Sequence, residues 1–453
     1  MPERLRSLGL DVGTTTTQMI FSELEVENRA GSFSVPEMEI SNRRILYRSP
    51  VHMTPLIRGE LVDARALERI VEEEFRKAGI PRGSVDTGAI IITGETSRKE
   101  NARSVLAELS GYAGDFVVAA AGPDLESVLA AKGAGAVALS EQTGKPVLHM
   151  DIGGGTSNLA LIVEGKIRST GCLNVGGRLL KFDETGKITY VSPVLRNICA
   201  VKVGDTPGIE TIHAVAHTLA QALEMAAGLR KPGDLLEKLW TKESKSTDIV
   251  YQCPVQPVIS FSGGVADCIE TAYAPFQFGD MGPILGKAIR ESRLCRGEYH
   301  LGRETIRATV IGAGCHSAQL SGSTVFYRNV VFPLKNLPVI SLDAPEEGTI
   351  RAALAGQDGP AVLALRHVGT FGYRGLSDCA DAIVRGFGDR PVLVCLEQDM
   401  AKALGQALAL RLPEDRSILC MDRIRPGPES YLDVAAPVGP AIPVVVKTLI
   451  LER

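Results

Sequence analysis

One short pattern occurs twice in this chain, at two widely separated places. Residues 8–21 read LGLDVGTTTTQMIF and residues 148–161 read LHMDIGGGTSNLAL. In each segment an apolar run ends in an aspartate, Asp11 or Asp151, and a turn rich in glycine or hydroxyl residues leads back into apolar residues. The repetition predicts two related lobes, each containing a strand, a tight turn and a returning strand.

Both turns have the composition of a phosphate-binding loop. Glycine lets backbone N–H groups approach an anion closely, and neighbouring hydroxyls add hydrogen-bond donors. The aspartate before each turn suits magnesium, because this ion prefers oxygen ligands and keeps its waters. We therefore predict metal contacts from Asp11 and Asp151. The predicted phosphate-binding residues are Gly13, Thr14, Thr15, Thr16, Gly153, Gly154, Gly155 and Thr156.

Ordinary β-hairpin turns are the main alternative, since Gly and Thr after a strand are common turn residues. The surrounding sequence contains neither GxxxxGK[ST] nor GxGxxG, which excludes a P-loop and a dinucleotide fingerprint at these turns. Because both turns carry an aspartate in the same register, we favour two phosphate turns that clamp one ligand.

A third segment, PVISFSGGVADCIETAY, predicts a strand over 258–261, two glycines and a helix that begins near Val265. Gly263 and Gly264 would let a flat base or ribose lie on the backbone, and the helix N-terminus would favour nearby phosphate oxygens. A plain strand-to-helix loop is the alternative. Its position after the paired turns favours a nucleotide contact.

Composition narrows the functional class. The net charge of -4 and pI near 6.1 argue against a nucleic-acid partner, which requires a basic surface. The sequence has no uncharged apolar run of ~20 residues, so no membrane partner is expected. The nine cysteines are dispersed without a CxxC pair, which is typical of thiols in a reducing compartment. We predict a cytoplasmic location.

The periodicity of the chain predicts three units, at 1–147, 148–338 and 339–453. Apolar spacing predicts helices over 61–79 and 209–229. Two helices of small residues, within 116–139 and 310–318, could pack closely and face each other across a hinge. The last unit is predicted to be a small α/β unit. Its strands are expected near 361–366, 391–396 and 417–421.

The order of these segments resembles that of the actin, Hsp70 and sugar-kinase superfamily. LGLDVGTTTTQMIF and HMDIGGGTSNLAL resemble its phosphate motifs, SFSGGVADCI its adenosine motif, and NVGGRLL the glycine pair that follows the second turn in Hsp70-like members. The resemblance covers residues 8 to about 318. It implies a two-lobed actin-like (ribonuclease H-like) α/β ATPase fold, to which the chain adds the small C-terminal α/β unit.

Over nearly its whole length the chain resembles the ethanolamine ammonia-lyase reactivating factors. The segments that carry this resemblance are GLDVGTTTTQ, YRSPVHMTPL, TGETSRKENAR, AGPDLESVLAAKGAGA, FGDMGPILGKAI and YLDVAAPVGPAIPVVVKTLIL. It implies an ATP-dependent chaperone that uses ATP, ADP and Mg²⁺ and has ethanolamine ammonia-lyase as its partner. Hydrolysis would drive release of damaged cobalamin, so that adenosylcobalamin can rebind. A homodimer and association with a bacterial microcompartment are compatible with it.

The resemblance also implies residue roles. Asp11 would hold a water bound to magnesium, and Asp151 would orient the metal and the attacking water. Thr14 to Thr16 and Gly153 to Thr156 would contact phosphates, while Gly263 and Gly264 would face the adenosine.

The chain departs from the superfamily pattern at two places. Hsp70-like chains often have a second Asp where this chain has Asn158, and a Glu-Pro pair where it has Gly122-Pro123. The candidates for the replacement carboxylate are Asp124, Glu126 and Glu95. The alternative for Asp124 and Glu126 is that they only favour the helix dipole from the first turn, and the alternative for Glu95 is a capping-box residue.

Two other functions share this fold. A small-molecule kinase would need a carboxylate base beside an acceptor pocket, and no recognisable motif supplies one. A nucleotide-dependent scaffold would assemble with negligible turnover. His149 shares a strand face with Asp151, and we expect it to be a polar side chain satisfied by a neighbour rather than a metal ligand.

Overall fold

A computed structural model describes most of the chain. The described residues are 3–13, 16–28, 38–57, 61–93, 105, 117–120, 123–242, 244, 255–316, 318–321, 324–357, 359–366, 372–424, 426, 430–437 and 441–448. Among the sequence-predicted site residues, Thr14, Thr15 and Glu95 lie outside these ranges.

The first lobe is built on a twisted mixed sheet. Its strands are β1 (Glu3–Val12), β2 (Thr16–Asn28), β3 (Met38–Arg48), β4 (His52–Met53), β5 (Leu56–Ile57), β6 (Leu61–Val62), β7 (Thr87–Ile92) and β8 (Val117–Ala120). The sheet order is β3-β2-β1-β7-β8. β1 pairs antiparallel with β2 and parallel with β7, and β7 pairs parallel with β8.

The second lobe repeats this arrangement. Its strands are β9 (Val147–Ile152), β10 (Ser157–Val163), β11 (Lys166–Leu173), β12 (Leu180–Phe182), β13 (Ile188–Val191), β14 (Val258–Ser262) and β15 (Tyr299–Leu301). The main sheet has the order β11-β10-β9-β14-β15, with β9 antiparallel to β10 and parallel to β14. Strand order and direction thus match those of the first lobe, and the prediction of two related lobes is confirmed.

Helices connect and cover the sheets. The α-helices are Ala64–Ala78, Pro123–Gly133, Ala136–Thr143, Ile209–Ala226, Asp234–Leu239, Asp267–Glu270, Gly282–Glu291, Ala308–His316, Glu347–Ala355, Tyr373–Phe387 and Ala401–Ala409. Short 3₁₀ helices span Arg82–Ser84, Pro193–Asn197 and Arg293–Cys295. The helix predicted over 61–79 is confirmed with a later start. Asp63 caps its N-terminus, and Gly79 ends it with φ 66°.

Two helices of small residues cross between the lobes. The first connecting helix (Pro123–Gly133) follows β8 but packs on β9, β10 and β11 of the second lobe, whereas the second connecting helix (Ala308–His316) follows β15 and packs on the first lobe. A Cβ on Gly133 would collide with the carbonyl oxygen of Ala308, and one on Gly312 with that of Leu129. The predicted close packing of the two helices is confirmed.

The C-terminal unit is an α/β unit with a single mixed sheet. Its strands are β16 (Ala318–Leu320), β17 (Phe326–Arg328), β18 (Leu334–Leu342), β19 (Val362–Leu365), β20 (Val392–Leu396), β21 (Ile418–Met421), β22 (Ser430–Val434) and β23 (Pro443–Thr448). The order is β16-β23-β22-β18-β19-β20-β21-β17, and β18 to β21 run parallel. β19, β20 and β21 lie where strands were predicted. The proposed division at 338–339 falls inside β18, and β16 and β17 precede it.

Candidate functional site

The two aspartate-containing turns are closed by the same backbone hydrogen bond. The N–H of Gly13 donates to the carbonyl of Thr16 at 2.9 Å, and the N–H of Gly153 donates to that of Thr156 at 2.9 Å. Each turn joins antiparallel strands, β1 to β2 and β9 to β10. Both are therefore hairpin turns, as the alternative interpretation expected, and phosphate binding at these turns stays a prediction.

The turns are held by different groups. The carbonyl of Gly13 accepts a hydrogen bond from Thr54 Oγ1 at 2.8 Å, and Thr54 Oγ1 lies 3.0 Å from Thr17 Oγ1. The corresponding carbonyl of Gly153 accepts instead from the backbone N–H of Gly177 at 3.0 Å. Sequence reasoning found Gly177 through the NVGGRLL segment, but it assigned no role to Thr54, which lies in the YRSPVHMTPL segment.

The second turn leaves an open cradle. Gly155 is exposed, and no described heavy atom lies within 4 Å of the position that a Cβ would occupy there. The neighbouring Gly154 is covered by Arg178, whose Cδ would lie 3.1 Å from a Cβ at that position. Arg178 Nε donates to Asp280 Oδ2 at 3.1 Å, so the guanidinium is held beside the turn. Sequence reasoning missed this cation next to the predicted phosphate position.

Asp11 lies at the end of β1 and is partly exposed. Its Oδ1 accepts a hydrogen bond from Thr93 Oγ1 at 2.8 Å. Burial raises the pKa of Asp11 to about 7, the hydrogen bond from Thr93 opposes this, and the charge of Asp151 raises it further. The two carboxylates, one from each lobe, therefore lie within electrostatic reach of each other.

Asp151 is buried at the end of β9 and ends a chain of hydrogen bonds. Ser262 donates to its Oδ1, His149 Nε2 lies 2.9 Å from Ser262 Oγ, and His149 Nδ1 lies 3.1 Å from Ser260 Oγ. Since the Ser262 proton is given to Asp151, His149 Nε2 carries a proton and Nδ1 accepts one from Ser260. Burial raises the pKa of Asp151 to about 6 and lowers that of His149 to about 3.

The prediction that His149 is satisfied by neighbours is confirmed, since both ring nitrogens have serine partners. Both serines belong to β14, which lies next to β9 in the sheet. The neutral imidazole therefore fixes the orientation of Ser262 and, through it, that of Asp151. Sequence reasoning quoted SFSGG but assigned no role to these hydroxyls.

A buried amide stands beside each carboxylate. Asp11 pairs with Gln18 across β1 and β2, and Asp151 pairs with Asn158 across β9 and β10. Gln18 Oε1 and Asn158 Oδ1 are both buried and have no hydrogen-bond partner among the described residues. Acceptors without donors, next to two carboxylates, fit a hydrated Mg²⁺ ion, whose waters would supply the missing donors.

The adenosine motif is only partly open. β14 ends at Ser262, and the helix begins at Asp267, two residues later than predicted. Gly263 adopts φ 87°, and a Cβ there would collide with the carbonyl of Ile152, so this glycine is locked against β9. Gly264 is exposed and presents its backbone to solvent.

The three candidates for the replacement carboxylate have different surroundings. Asp124 lies in the first turn of the first connecting helix, where its Oδ1 accepts from Thr170 Oγ1 of β11 at 2.6 Å. Glu126 lies in the same turn and is partly buried. Glu95 lies outside the described residues. A catalytic role for any of them stays a prediction.

The described ranges contain neither a metal-binding cluster of protein side chains nor a membrane-spanning helix. Within them, His, Cys, Asp and Glu form no group of three or more able to hold a metal ion. Two carboxylates with phosphate oxygens and water are the usual set for nucleotide-bound Mg²⁺, so a larger protein cage is not required. None of the described helices combines the length and apolarity needed to span a bilayer.

Two lobes with the same strand order, exchanged connecting helices and an aspartate turn facing the cleft from each side define the actin-like class of two-lobed nucleotide-binding folds. The chain belongs to the family described as "Ethanolamine utilisation protein EutA", whose model matches residues 3–452.

Curated relatives match nearly the full length. The chain is 40% identical to "Ethanolamine ammonia-lyase reactivase EutA" of Salmonella typhimurium and 38% identical to the protein of that name in Escherichia coli, each over 98% of both chains. A solved Ppx/GppA family member from Aquifex aeolicus is 14% identical, with a TM-score of 0.41 over 68% of this chain and 97% of that one.

Proposed function

We propose that this protein reactivates ethanolamine ammonia-lyase and uses ATP to do so. The reactivating role is supported by family membership and by the printed names of relatives that match almost end to end. The nucleotide dependence rests on one observation: Asp11 and Asp151 lie at equivalent positions at the ends of β1 and β9, each before a hairpin turn, and the charge of Asp151 raises the pKa of Asp11. The two carboxyl groups of such a site become fully ionised at neutral pH only when a cation is bound.

The proposed nucleotide site uses groups from both lobes. The second turn, from Gly153 to Thr156, would receive the phosphates through backbone N–H groups, with Arg178 beside it as a counter-charge. Thr16 would donate its hydroxyl from the first lobe. The open backbone of Gly264 would lie against the adenosine.

Asp11 and Asp151 would hold the divalent ion, with Gln18 and Asn158 beside them. When bound, Mg²⁺ supplies neutralisation of phosphate charge. The hydrogen bonds from Thr93 and Ser262 fix the carboxylate planes before the ion arrives, so little reorganisation is needed on binding.

Hydrolysis would transfer the terminal phosphoryl group to water. A bond forms between the water oxygen and the γ-phosphorus, the bond from that phosphorus to the β–γ bridging oxygen breaks, and ADP and phosphate leave. Asp151 would orient the attacking water, since its second oxygen remains available while Ser262 holds Oδ1. Positioning and charge neutralisation supply most of the catalysis in such reactions.

Nucleotide state would be coupled to the lyase through lobe closure. The only requirement is that ATP and ADP favour different angles between the lobes, and that the lyase binds one angle better than the other. The crossing of the two connecting helices is the natural pivot, because glycines there bring the helix backbones into contact. The proposed outcome is release of damaged cobalamin, so that adenosylcobalamin can rebind.

Reactivation of an inactivated lyase is the direct test. Ethanolamine ammonia-lyase inactivated with cyanocobalamin would be incubated with the protein, Mg²⁺, adenosylcobalamin and either ATP or a non-hydrolysable analogue. We expect recovery of lyase activity with ATP and little with the analogue. Equal recovery with both, or none with either, would refute an ATP-driven reactivase.

The Asp151→Asn variant should lose ATP-dependent recovery while remaining folded, because the substitution keeps the shape of the side chain and removes the charge. Asp389→Asn is the matched control, since that aspartate is fully exposed and makes only a surface ion pair with Arg416 at 3.5 Å. Phosphorylation of a small molecule without the lyase would instead favour the kinase alternative, and nucleotide-dependent assembly without turnover the scaffold.

A further inference from the structure

We propose that Gln18 and Asn158 are a matched pair of positioning residues, whose amide oxygens hold waters of the divalent ion between the lobes. Nothing in the sequence motifs assigns a function to Gln18, and Asn158 is noted there only as a departure from an aspartate. The inference rests on the proposed function, because it concerns the metal of the same site.

Each amide lies directly opposite its aspartate on the neighbouring strand. In an antiparallel pair, directly opposite residues project to the same face of the sheet with their Cβ atoms about 5 Å apart. Gln18 is opposite Asp11, and Asn158 is opposite Asp151. In both lobes the amide follows its aspartate at the same sequence spacing, so the two pairs occupy equivalent positions in the duplicated fold.

A hydrogen bond to Ile306 fixes the orientation of the Gln18 amide. Its Nε2 donates to the backbone carbonyl of Ile306 at 3.1 Å, just before the second connecting helix. Only the nitrogen can donate to a carbonyl, so this bond fixes which end of the amide is the oxygen. Oε1 is thereby turned away from Ile306. The same bond ties the first lobe to the second.

The amide oxygens of Gln18 and Asn158 both lack a hydrogen-bond donor among the described residues. Gln18 is 5% exposed and Asn158 2% exposed, and neither amide oxygen has a hydrogen-bond partner among the described residues. Leaving such an acceptor unpaired costs about 1–3 kcal/mol. Once a cation keeps Asp11 and Asp151 ionised, neither carboxylate has a proton to give, so neither can supply the donor. Water bound to a cation between the carboxylates can satisfy both oxygens.

Neutral amides suit these two positions because each lies beside a carboxylate. Asp11 already feels the charge of Asp151, so another carboxylate at either neighbouring position would add repulsion in the absence of the ion. A neutral amide offers the same acceptor oxygen without that cost. Outer-shell acceptors of this type typically change metal affinity by about 10–100-fold when removed.

The experiment measures metal binding directly. Mn²⁺ would replace Mg²⁺, and its free concentration would be followed by electron paramagnetic resonance in the presence of saturating ADP. We expect Gln18→Met and Asn158→Leu to bind Mn²⁺ about tenfold more weakly than the native protein. ADP affinity in EDTA should stay within about twofold, because neither side chain is assigned to the nucleotide itself.

Gln256→Met is the matched control for Gln18→Met. The Gln256 amide also donates to a backbone carbonyl, that of Ala227 at 3.1 Å, but it precedes β14 at the end of the sheet opposite the aspartates. Its Mn²⁺ affinity should match that of the native protein.

A second variant separates positioning from a structural role. Asn158→Asp keeps an acceptor oxygen in nearly the same place, so it should bind Mn²⁺ at least as tightly as the native protein even if Asn158→Leu folds poorly. A purely structural role of the amide would weaken both variants alike. The inference is overturned if Asn158→Asp binds as weakly as Asn158→Leu, or if Gln18→Met and Asn158→Leu both stay within about twofold of native.

The outcomes also distinguish failure of this inference from failure of the proposed function on which it rests. If the native protein takes up no adenine nucleotide, the proposed function fails and this inference fails with it. If the native protein binds ADP and Mn²⁺ and the variants are unchanged, only the assignment of Gln18 and Asn158 fails.

Discussion

Each lobe has a strand that ends in an aspartate followed by a hairpin turn, but the two turns are held by different means. In both lobes a side-chain hydroxyl donates to the aspartate, from Thr93 to Asp11 and from Ser262 to Asp151. The first turn is held by the side-chain hydroxyl of Thr54, whereas the second is held by the backbone N–H of Gly177. A duplicated fold therefore conserves the geometry of its site without conserving the groups that enforce it.

This difference has a physical consequence for each lobe. A backbone N–H donor is removed only by substitution with proline, so other substitutions weaken the second turn mainly where its glycines let two chain segments touch. Side-chain donors can be removed one by one, so the first turn should respond gradually. The comparison can be tested by breaking each support separately.

The largest expected effect is on the pH dependence of stability without nucleotide or metal. The pKa of Asp11 is raised to about 7 and that of Asp151 to about 6, so the folded protein keeps protons that the unfolded chain loses above about pH 4. The free energy of unfolding should therefore fall as pH rises from about 4 to about 7. The slope should approach about 1.4 kcal/mol per pH unit for each titrating carboxylate.

Urea unfolding in EDTA at a series of pH values measures this slope. Asp11→Asn should flatten the curve between about pH 6 and 7, where only Asp11 still titrates. Asp151→Asn should also lower the pKa of Asp11, because it removes a neighbouring charge. An unfolding free energy independent of pH over this range would contradict the burial of the two carboxylates.

The next effect tests the backbone support of the second lobe. In Gly176→Ala the added Cβ would collide with the backbone carbonyl of Gly154, so two backbone segments would have to move apart. We expect a loss of about 2–3 kcal/mol in the free energy of unfolding, together with weaker ADP binding. Both can be measured on one preparation by urea titration and calorimetry.

Gly348→Ala is the control for that variant. Gly348 lies in the helix Glu347–Ala355, and no described atom lies within 4 Å of an added Cβ. The free energy of unfolding of Gly348→Ala should therefore rise by about 0.5–1 kcal/mol. If Gly176→Ala behaved like Gly348→Ala, the second turn would not depend on close backbone contact.

A smaller effect is expected from the side-chain support of the first lobe. Thr54→Val keeps the shape of the residue but leaves the carbonyl of Gly13 without its hydroxyl donor. The expected loss is about 1 kcal/mol, less than for Gly176→Ala. Thr143→Val removes a hydroxyl that donates to a carbonyl at an exposed helix end, and it should cost less than about 0.5 kcal/mol. Equal losses at Thr54 and Thr143 would remove the claimed difference between the lobes.

The smallest expected effect on stability is at Gly155. An added Cβ meets no described atom there, so the free energy of unfolding of Gly155→Ala should lie within about 0.5 kcal/mol of that of the native protein. The methyl group would nevertheless occupy the cradle assigned to the phosphates. ADP affinity measured by calorimetry should fall by about tenfold. Unchanged affinity would mean that the phosphates lie elsewhere.

Much of this architecture could be predicted from the sequence because its signals are local. A strand that ends in Asp before a Gly-rich or Thr-rich turn is visible in about fourteen consecutive letters, and both such turns form as predicted. The helix over Ala64–Ala78 has its start and stop signals, Asp63 and Gly79, in adjacent positions. The small residues of the connecting helices directly predict close packing.

The supports of the site could not be predicted, because they come from distant parts of the chain. Thr93 reaches Asp11 from a parallel neighbouring strand, and Ser262 reaches Asp151 from more than one hundred residues away. Nothing in the sequence near Thr54 shows that it will meet Gly13. Gln18 is the exception, since it follows its aspartate at the spacing at which Asn158 follows Asp151, and a comparison of the two repeats would have revealed it.

The limits of the C-terminal unit were missed for a related reason. β17 pairs with β21, and β16 pairs with β23, so the first strands of this sheet find their partners only after most of the unit has been synthesised. Periodicity reveals a strand but not which sheet it will join. The change of composition near residue 340 therefore marks the parallel part of the sheet and not its first strands.

The exchange of connecting helices means that neither lobe is a separable piece of the polypeptide. A fragment ending at residue 147 would contain the helix Pro123–Gly133 without the sheet that it covers, and its own sheet would lack the helix Ala308–His316. Each fragment produced alone would expose an apolar surface and tend to aggregate. Co-expressed, the two could complement each other, so the intact chain behaves like an intertwined pair of subunits that a linker has made permanent.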